Sequence, residues 1–407
     1  MAVMTNETQY DVEGILLARP FKIRRLGHFG LDLHDVAAGL RFYVQDLGFR
    51  VTDVLDLAGI PGAAPLIEGV NDPRIYFTSH GSDHHALLLN HRLISQRMSV
   101  ASGEVTLNQI TWQVGSLREV VDAHDFLSAK GVDVVRVGRD MPGGNWHVYF
   151  RDPDGHQNEL YYGIEQIGWQ RRSRPRAMYD RGFRKRPPLP QMSEQDEVEE
   201  AIVKGVDLQS GYRPAETGDA IHDVGGVLLT RPFKITRIGP ISLFVDDIDA
   251  SARFYAELLG LVRTEDVSID GHVCQFLRAG TEHHVLALLP KALRAELNLS
   301  ARSSLAAMGL EVGSYRQLRD AVAFLGGRGW RIISGLPTEL HPGVDYAAFV
   351  LDPEGHCMML YYYMEQIGWD GRPRPSELRR ATAPEWPEQL ESLSDTYVDQ
   401  TFPGPLG

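Results

Sequence analysis

Two residues with metal-binding side chains occur only once in a chain that otherwise repeats itself. His28 lies in the segment LGHFGLD and Glu159 in the segment NELYY, and imidazole with carboxylate is a donor set that mononuclear transition-metal sites use. When the two halves are aligned, Pro240 replaces His28 and Met359 replaces Glu159. Taken alone, His28 could be an ordinary buried histidine and Glu159 an ordinary solvated carboxylate, neither of which binds a metal. Their joint loss, while the surrounding sequence persists, predicts a metal site in the first half only.

The repeat covers most of the 407 residues. GILLARPFKIRRLGHFGLDLHD at 14–35 returns as GVLLTRPFKITRIGPISLFVDD at 226–247, and DPDGHQNEL at 152–160 returns as DPEGHCMML at 352–360. A chain of this length can form two domains. The sequence therefore predicts a metal-bearing catalytic module at 14–180, a linker at 181–225, a homologous module without metal ligands at 226–380 and a C-terminal tail at 381–407.

Composition limits the partners of the chain. The net charge of −13 disfavours nucleic acid, since phosphate backbones bind clustered Lys and Arg. No apolar stretch approaches the length of a membrane span. With two cysteines, Cys274 and Cys357, and no signal-peptide pattern at the N-terminus, we expect a cytoplasmic protein. The basic run at 171–186 is interpreted as a solvated connector.

Each half predicts an α+β fold made of two βαβββ units. In the first half, RRLGHFGLDL alternates like a strand, DVAAGLRFYVQDLG has helical spacing, and RIYFTS and HHALLLN are typical of strands. The order then restarts with the strand TLNQITWQV, the helix SLREVVDAHDFLSAKG and three further strands. Four such units in the chain predict curved sheets that enclose a cavity, with helices on the outside.

Two βαβββ units that end in YFRDPDGHQNELYY resemble a vicinal oxygen chelate module, of the glyoxalase, bleomycin resistance and extradiol dioxygenase superfamily. Two modules in one chain resemble the two-domain type I extradiol ring-cleaving dioxygenases. The resemblance implies a third ligand, a histidine on the first strand of the second unit, where this chain has Gln109 and its second half has Ala307. Three interpretations stay open: Gln109 is a weaker third ligand, Gln109 only neighbours the metal, or His85 completes the site.

The same resemblance implies catalytic side chains. His85, the second histidine of an HH pair, matches an acid–base residue that faces the cavity, although His283 and His284 keep the pair in the second half. Tyr149 matches a tyrosine that donates a hydrogen bond to a substrate oxygen. His147 shares the strand face of Tyr149 and is a candidate substrate contact or neighbour of the metal. The two repeated turns carry His156 and His356 at equivalent positions, and both histidines are expected to be structural.

These features predict a metal-dependent dioxygenase that cleaves the ring of a catechol-like substrate with O2 in the N-terminal module. The resemblance implies Fe(II), with Mn(II) as an alternative, and a small aromatic molecule and O2 as partners. Two other classes stay open, a non-oxidative isomerase or lyase of the same superfamily and a small-molecule-binding protein without turnover. A homo-oligomer is compatible with each of these three function classes. The two-domain dioxygenases usually carry the metal in the C-terminal module, so the chain resembles a divergent branch.

Overall fold

The computed structural model describes residues 8–98, 103–168, 170–179, 182–214, 218–219, 221–299, 302–378 and 386–390. The strands of the first module are β1 Tyr10–Val12, β2 Ile15–Leu17, β3 Arg25–Leu33, β4 Arg50–Asp56, β5 Arg74–Ser79, β6 Leu87–His91, β7 Leu107–Gln113, β8 Val134–Arg139, β9 Trp146–Arg151 and β10 Gln157–Tyr162. Its α-helices are α1 Val36–Leu40, α2 Ala64–Ile67, α3 Arg92–Arg97 and α4 Leu117–Ala129, with other helical turns at Arg41–Asp46, Leu57–Gly59 and Arg176–Met178.

Helix α5 Glu194–Val203 lies between the modules in the chain. The strands of the second module are β11 His222–Val224, β12 Val227–Leu229, β13 Ile235–Val245, β14 Val262–Ile269, β15 His272–Arg278, β16 Leu286–Pro290, β17 Leu305–Val312, β18 Ile332–Ile333, β19 Ala347–Leu351 and β20 Cys357–Tyr361. Its helices are α6 Ile248–Arg253, α7 Leu293–Glu296 and α8 Tyr315–Gly327, with helical turns at Phe254–Leu258, Thr338–Leu340 and Ser376–Leu378. In the part of the chain described, no helix is both long and apolar enough to cross a bilayer.

Each module contains one eight-stranded sheet. The strand order is β4-β5-β6-β3-β7-β10-β9-β8 in the first module and β14-β15-β16-β13-β17-β20-β19-β18 in the second. Two βαβββ units therefore meet side by side, because their first strands, β3 and β7, pair antiparallel. This confirms the predicted α+β fold of two tandem modules. The strand predicted for HHALLLN begins at Leu87, so His84 and His85 precede it.

Helix α4 shows how the local sequence fixes these elements. Ser116 caps its N-terminus by accepting a hydrogen bond from the backbone N–H of Glu119, and Gly131 follows its end with φ +75°. Val120 and Leu127 from the helix are buried in the same core as Leu160 of β10. Each such fully buried side chain contributes about 1.5–3 kcal/mol. The helix therefore covers one face of the sheet and leaves the other face to the polar residues.

The repeated Asp-Pro-acid-Gly-His turn joins the two modules. The hydroxyl of Tyr255 donates to Asp152 at 2.7 Å, and in a matching contact the hydroxyl of Tyr43 donates to Asp352 at 2.8 Å. Within the first turn, Nδ1 of His156 lies 2.8 Å from the carboxylate of Asp152. Since both modules need this contact, the turn persists in both repeats, whether or not the strand that follows carries Glu159.

The segment after β10 packs against the first module. Met178 and Tyr179 are buried, and Arg139 of β8 forms a buried ion pair of 2.6 Å with Glu197 of α5. The interpretation of 171–186 as a solvated connector is therefore wrong for Met178 and Tyr179, while Arg171 and Arg176 are exposed. The hydroxyl of Tyr179 donates a hydrogen bond to Glu165, a pairing that the composition of a charged run does not reveal.

Candidate metal centre

The side chains of four adjacent strands converge on one face of the first sheet. In the register of β9 and β10, Glu159 lies opposite Tyr149 and Tyr161 lies opposite His147. Across the parallel pair of β7 and β10, Glu159 lies opposite Thr111. Directly opposed residues point to the same side of a sheet, and alternation along a strand repeats that side every second residue. We call this side of the first sheet the site face.

His28 and Glu159 form the centre of the site face. Nε2 of His28 lies 3.2 Å from Oε2 of Glu159, and both side chains are fully buried. The other carboxylate oxygen accepts a hydrogen bond of 2.7 Å from Asn145. These partners offset the cost of burying a carboxylate. The 3.2 Å spacing also matches the roughly 3 Å between adjacent donors on one metal ion with bonds of about 2.1 Å.

Gln109 is connected to the site by a hydrogen bond from Tyr149. The hydroxyl of Tyr149 lies 3.1 Å from Oε1 of Gln109 and 3.0 Å from Oδ2 of Asp140. Burial, reinforced by the charges of Asp140 and Glu159, raises the pKa of Tyr149 well above its ordinary value. The phenol is therefore protonated at neutral pH and acts as a donor, for which Gln109 and Asp140 compete as acceptors.

His85 packs directly on the proposed ligand His28. The two ring centroids are 4.2 Å apart at an angle of 68°. Burial, and then the neighbouring His28 and His84, lower the pKa of His85 well below 6.5, so its imidazole is neutral near pH 7. Nδ1 of His85 lies 3.0 Å from Nδ1 of His84, whose Nε2 lies 3.3 Å from Asp53.

The second module keeps this histidine pair without the site. Nδ1 of His283 and Nδ1 of His284 are also 3.0 Å apart, and Nε2 of His283 lies 2.7 Å from Glu265. At the position equivalent to His28, however, the second module has Pro240. The pair is thus a shared feature of both modules, and its contact with a ligand-type histidine is particular to the first.

The turn between β8 and β9 supplies two residues that the sequence analysis missed, Asp140 and Asn145. Donor atoms of Asp140, His147 and Glu159 all lie within 4.8 Å of one another. Burial alone would raise the pKa of Asp140, but the adjacent His147 and Arg136 outweigh it and hold the pKa well below the usual range. The signal was available, because the second half has a leucine at the position of Asp140.

The equivalent region of the second module is an apolar core. One cluster of buried residues there includes Ala307, Leu340, Phe349 and Met359, at the positions of Gln109, Asp140, Tyr149 and Glu159. Among the described residues, the grouping of three His, Cys, Asp or Glu side chains suited to a metal lies in the first module. The structure therefore brings together, in one buried cluster, every residue that the sequence analysis singled out for the site: His28, His85, Gln109, His147, Tyr149 and Glu159.

A family model supports the division into two modules. The Glyoxalase/Bleomycin resistance protein/Dioxygenase superfamily matches residues 25–160 and again residues 237–360. Together the two matches cover more than half of the chain. In chain order, the first match runs from β3 to β10 and the second from β13 to β20, so each match covers the eight strands of one sheet.

Comparisons with individual proteins give more distant matches. A 3-methylcatechol 2,3-dioxygenase from Pseudomonas putida is 25% identical over 142 residues, which are 35% of this chain and 43% of that relative, so the match spans less than half of the relative's length. The 2,3-dioxygenase LapB from Pseudomonas sp. KL28 has a TM-score of 0.55 at 16% identity, covering 86% of this chain and 96% of that chain. The Mn(II)-bound glyoxalase from Novosphingobium aromaticivorans has a TM-score of 0.53 at 15% identity, covering 86% and 85%. At such identities the two structures show a shared fold.

Proposed function

Because the chain belongs to the Glyoxalase/Bleomycin resistance protein/Dioxygenase superfamily, we propose that it is a metal-dependent dioxygenase whose first module cleaves the ring of a catechol-like substrate with O2. The observation that carries the proposal is the buried pair of His28 and Glu159, at 3.2 Å, which the second module replaces by Pro240 and Met359. The 3-methylcatechol 2,3-dioxygenase among the relatives favours an aromatic diol as the substrate.

The residues at this centre fit a divalent metal. His28 offers an imidazole nitrogen and Glu159 a carboxylate, and Gln109 stands where the resemblance implies a third ligand. Such a nitrogen and oxygen donor set suits Fe(II), with Mn(II) as the alternative. When bound, the metal would hold the diol and O2 side by side and allow electrons to pass between them.

The protein's own side chains would then manage protons. The imidazole of His85, packed on His28, would take a proton from a substrate hydroxyl and return it later. The phenol of Tyr149 stays protonated and would donate a hydrogen bond to a substrate oxygen, exchanging one of its present acceptors, Gln109 or Asp140. His147, on the same strand, borders this position.

The turn at 140–145 closes the site over His85. A Cβ at Gly143 would lie 2.9 Å from Cε1 of His85, and the φ of Gly143 is +97°. The carbonyl of Gly143 accepts a hydrogen bond of 2.9 Å from the backbone of Glu165, which ties the turn to the segment after β10. This close approach keeps bulk water away from the imidazole and so protects its proton transfer from solvent.

O2 uptake tests the proposed function. The metal-free protein would be loaded with Fe(II) or Mn(II) without oxygen, and then given O2 with a panel of catechols, hydroquinones and aminophenols. We expect one class to consume O2 and to gain two oxygen atoms by mass spectrometry, as ring cleavage by a dioxygenase requires. Conversion of a substrate without O2 would instead identify a non-oxidative enzyme, and binding without conversion a small-molecule-binding protein.

A further inference from the structure

Gln109 is a poor candidate for completing the metal centre. The position implied for a histidine holds an uncharged amide here, which is a weaker donor than imidazole for a first-row metal. Its Oε1 already lies 3.1 Å from the hydroxyl of Tyr149, in the direction of a hydrogen bond. If Gln109 is not a ligand, one donor nitrogen is missing from the centre.

His147 has the free nitrogen that the centre lacks. Its side chain is fully buried, and Nε2 has no hydrogen-bond partner. Nδ1 lies 3.0 Å from Oδ2 of Asp140, so the two side chains already face each other. Buried polar atoms in folded proteins are nearly always bonded, and each unsatisfied one costs about 1–3 kcal/mol. A metal ion bound by His147 would remove this cost.

The neighbours of His147 are arranged around a common point. Donor atoms of Asp140, His147 and Glu159 lie within 4.8 Å of one another. Donors on one metal with bonds of about 2.1 Å are separated by about 3 Å when adjacent and about 4 Å when opposite. His28 is not in this group of three and is connected to it through Glu159, whose Oε2 lies 3.2 Å from Nε2 of His28. Arg136 lies 3.2 Å from the other oxygen of Asp140 and balances part of the negative charge.

The second module lacks all three members of this group. Leu340, Ala347 and Met359 stand where the first module has Asp140, His147 and Glu159. A salt bridge that merely stabilised the turn before β9 would be as useful in the second module, whose turn at 340–345 connects the equivalent strands. Asp140 and His147 are instead both replaced by apolar residues in the second module, as are His28 and Glu159.

We propose that His147 and Asp140 are metal ligands beside Glu159 and His28, so that a histidine on β9 replaces the histidine absent from β7. This assignment rests on the metal site of the proposed function. Gln109 then acts as a positioning residue, which holds the hydroxyl of Tyr149. The centre retains two imidazoles and gains a second carboxylate, which favours a hard divalent ion such as Mn(II) or Fe(II).

Anaerobic Mn(II) titration and pulsed electron paramagnetic resonance test the assignment. In wild-type protein labelled with nitrogen-15 histidine, we expect couplings from two imidazole nitrogens, and from one in His147→Ala. The affinity for Mn(II) should fall about a hundredfold or more in His147→Ala and Asp140→Asn, and change little in Gln109→Ala. His341→Ala, which removes a buried histidine of the second module, is the matched control and should bind Mn(II) like the wild type.

One bound nitrogen in the wild-type protein would overturn the assignment, and this result needs no variant to fold. Unchanged affinity in His147→Ala with a large loss in Gln109→Ala would also overturn it, while leaving the proposed function in place. Metal binding that depends on His147, without O2 uptake on any aromatic substrate, would support the assignment and refute the proposed function. A wild-type protein that binds neither Mn(II) nor Fe(II) would refute both.

Discussion

Asp32 on β3 is a buried carboxylate that the first module keeps at a cost in stability. One of its oxygens accepts a hydrogen bond of 2.6 Å from Ser95, and the other has no hydrogen-bond partner. The second module has Phe244 at this position, within its apolar cluster. Burial raises the pKa of Asp32 from 3.8 to about 7, although Ser95 and Arg92 act against it. The change Asp32→Asn removes the charge and keeps an oxygen that can accept from Ser95.

The size of the effect follows from the shift in pKa. Because the folded state holds the proton more tightly than the unfolded state, stability falls as the pH rises from the unfolded pKa of 3.8 to the folded pKa of about 7. Each pH unit in this window costs at most about 1.4 kcal/mol. Between about pH 5 and about pH 8, roughly two units lie in the window, so the wild type loses up to about 3 kcal/mol that Asp32→Asn does not lose.

Urea unfolding of the wild type and of Asp32→Asn at about pH 5 and about pH 8 measures this difference. The free energy of unfolding of the variant, relative to the wild type, should increase by up to about 3 kcal/mol at the higher pH. The control is Asp320→Asn, which removes a more exposed aspartate of helix α8. An equal effect of Asp32→Asn at both values of pH would show that the carboxylate does not titrate in this range and would refute the reasoning.

Three further predictions follow from contacts elsewhere in the chain. Tyr255→Phe should lower the free energy of unfolding by about 1–3 kcal/mol, because Asp152 loses its hydrogen bond between the modules; urea unfolding without a change would contradict this. Glu197→Ala leaves a buried arginine unpaired, so it should destabilise by about 3 kcal/mol or more and speed proteolysis at 182–214, unlike the exposed Glu199→Ala. His85→Ala should slow turnover about 10²–10⁴-fold with normal metal affinity, whereas loss of the metal would make His85 a ligand.

The sequence repeat and strand alternation were enough to predict the architecture. Alternation also placed His147, Tyr149 and Glu159 on one face, because the spacing of side chains along a strand is fixed by geometry. The predicted βαβββ unit requires a strand between the helix and RIYFTS, but no segment was assigned to this strand, β4. It lies at the edge of the sheet, and its sequence RVTDVLD mixes buried and exposed residues with two aspartates, which weakens the strand pattern.

The site was harder to predict where it depends on a turn. Asp140 and Asn145 reach Glu159 and Tyr149 only because the turn at 140–145 folds back over the sheet. No periodicity determines where the side chains of such a turn point. The packing of the segment after β10 was missed for a similar reason. The guanidinium of Arg136 stacks on Phe183 at 3.7 Å, and such pairing between distant residues leaves no local trace in the sequence.

The metal content of Glu159→Met tests the central claim most directly. The chain itself carries Met359 at the equivalent position of a strand that folds, so this change should leave the sheet intact, as circular dichroism would confirm. After anaerobic loading with Fe(II) and removal of unbound metal, elemental analysis should find one ion per chain in the wild type and in the control Met359→Leu, and none in Glu159→Met. An ion retained at full stoichiometry in Glu159→Met would contradict a metal centre built on Glu159.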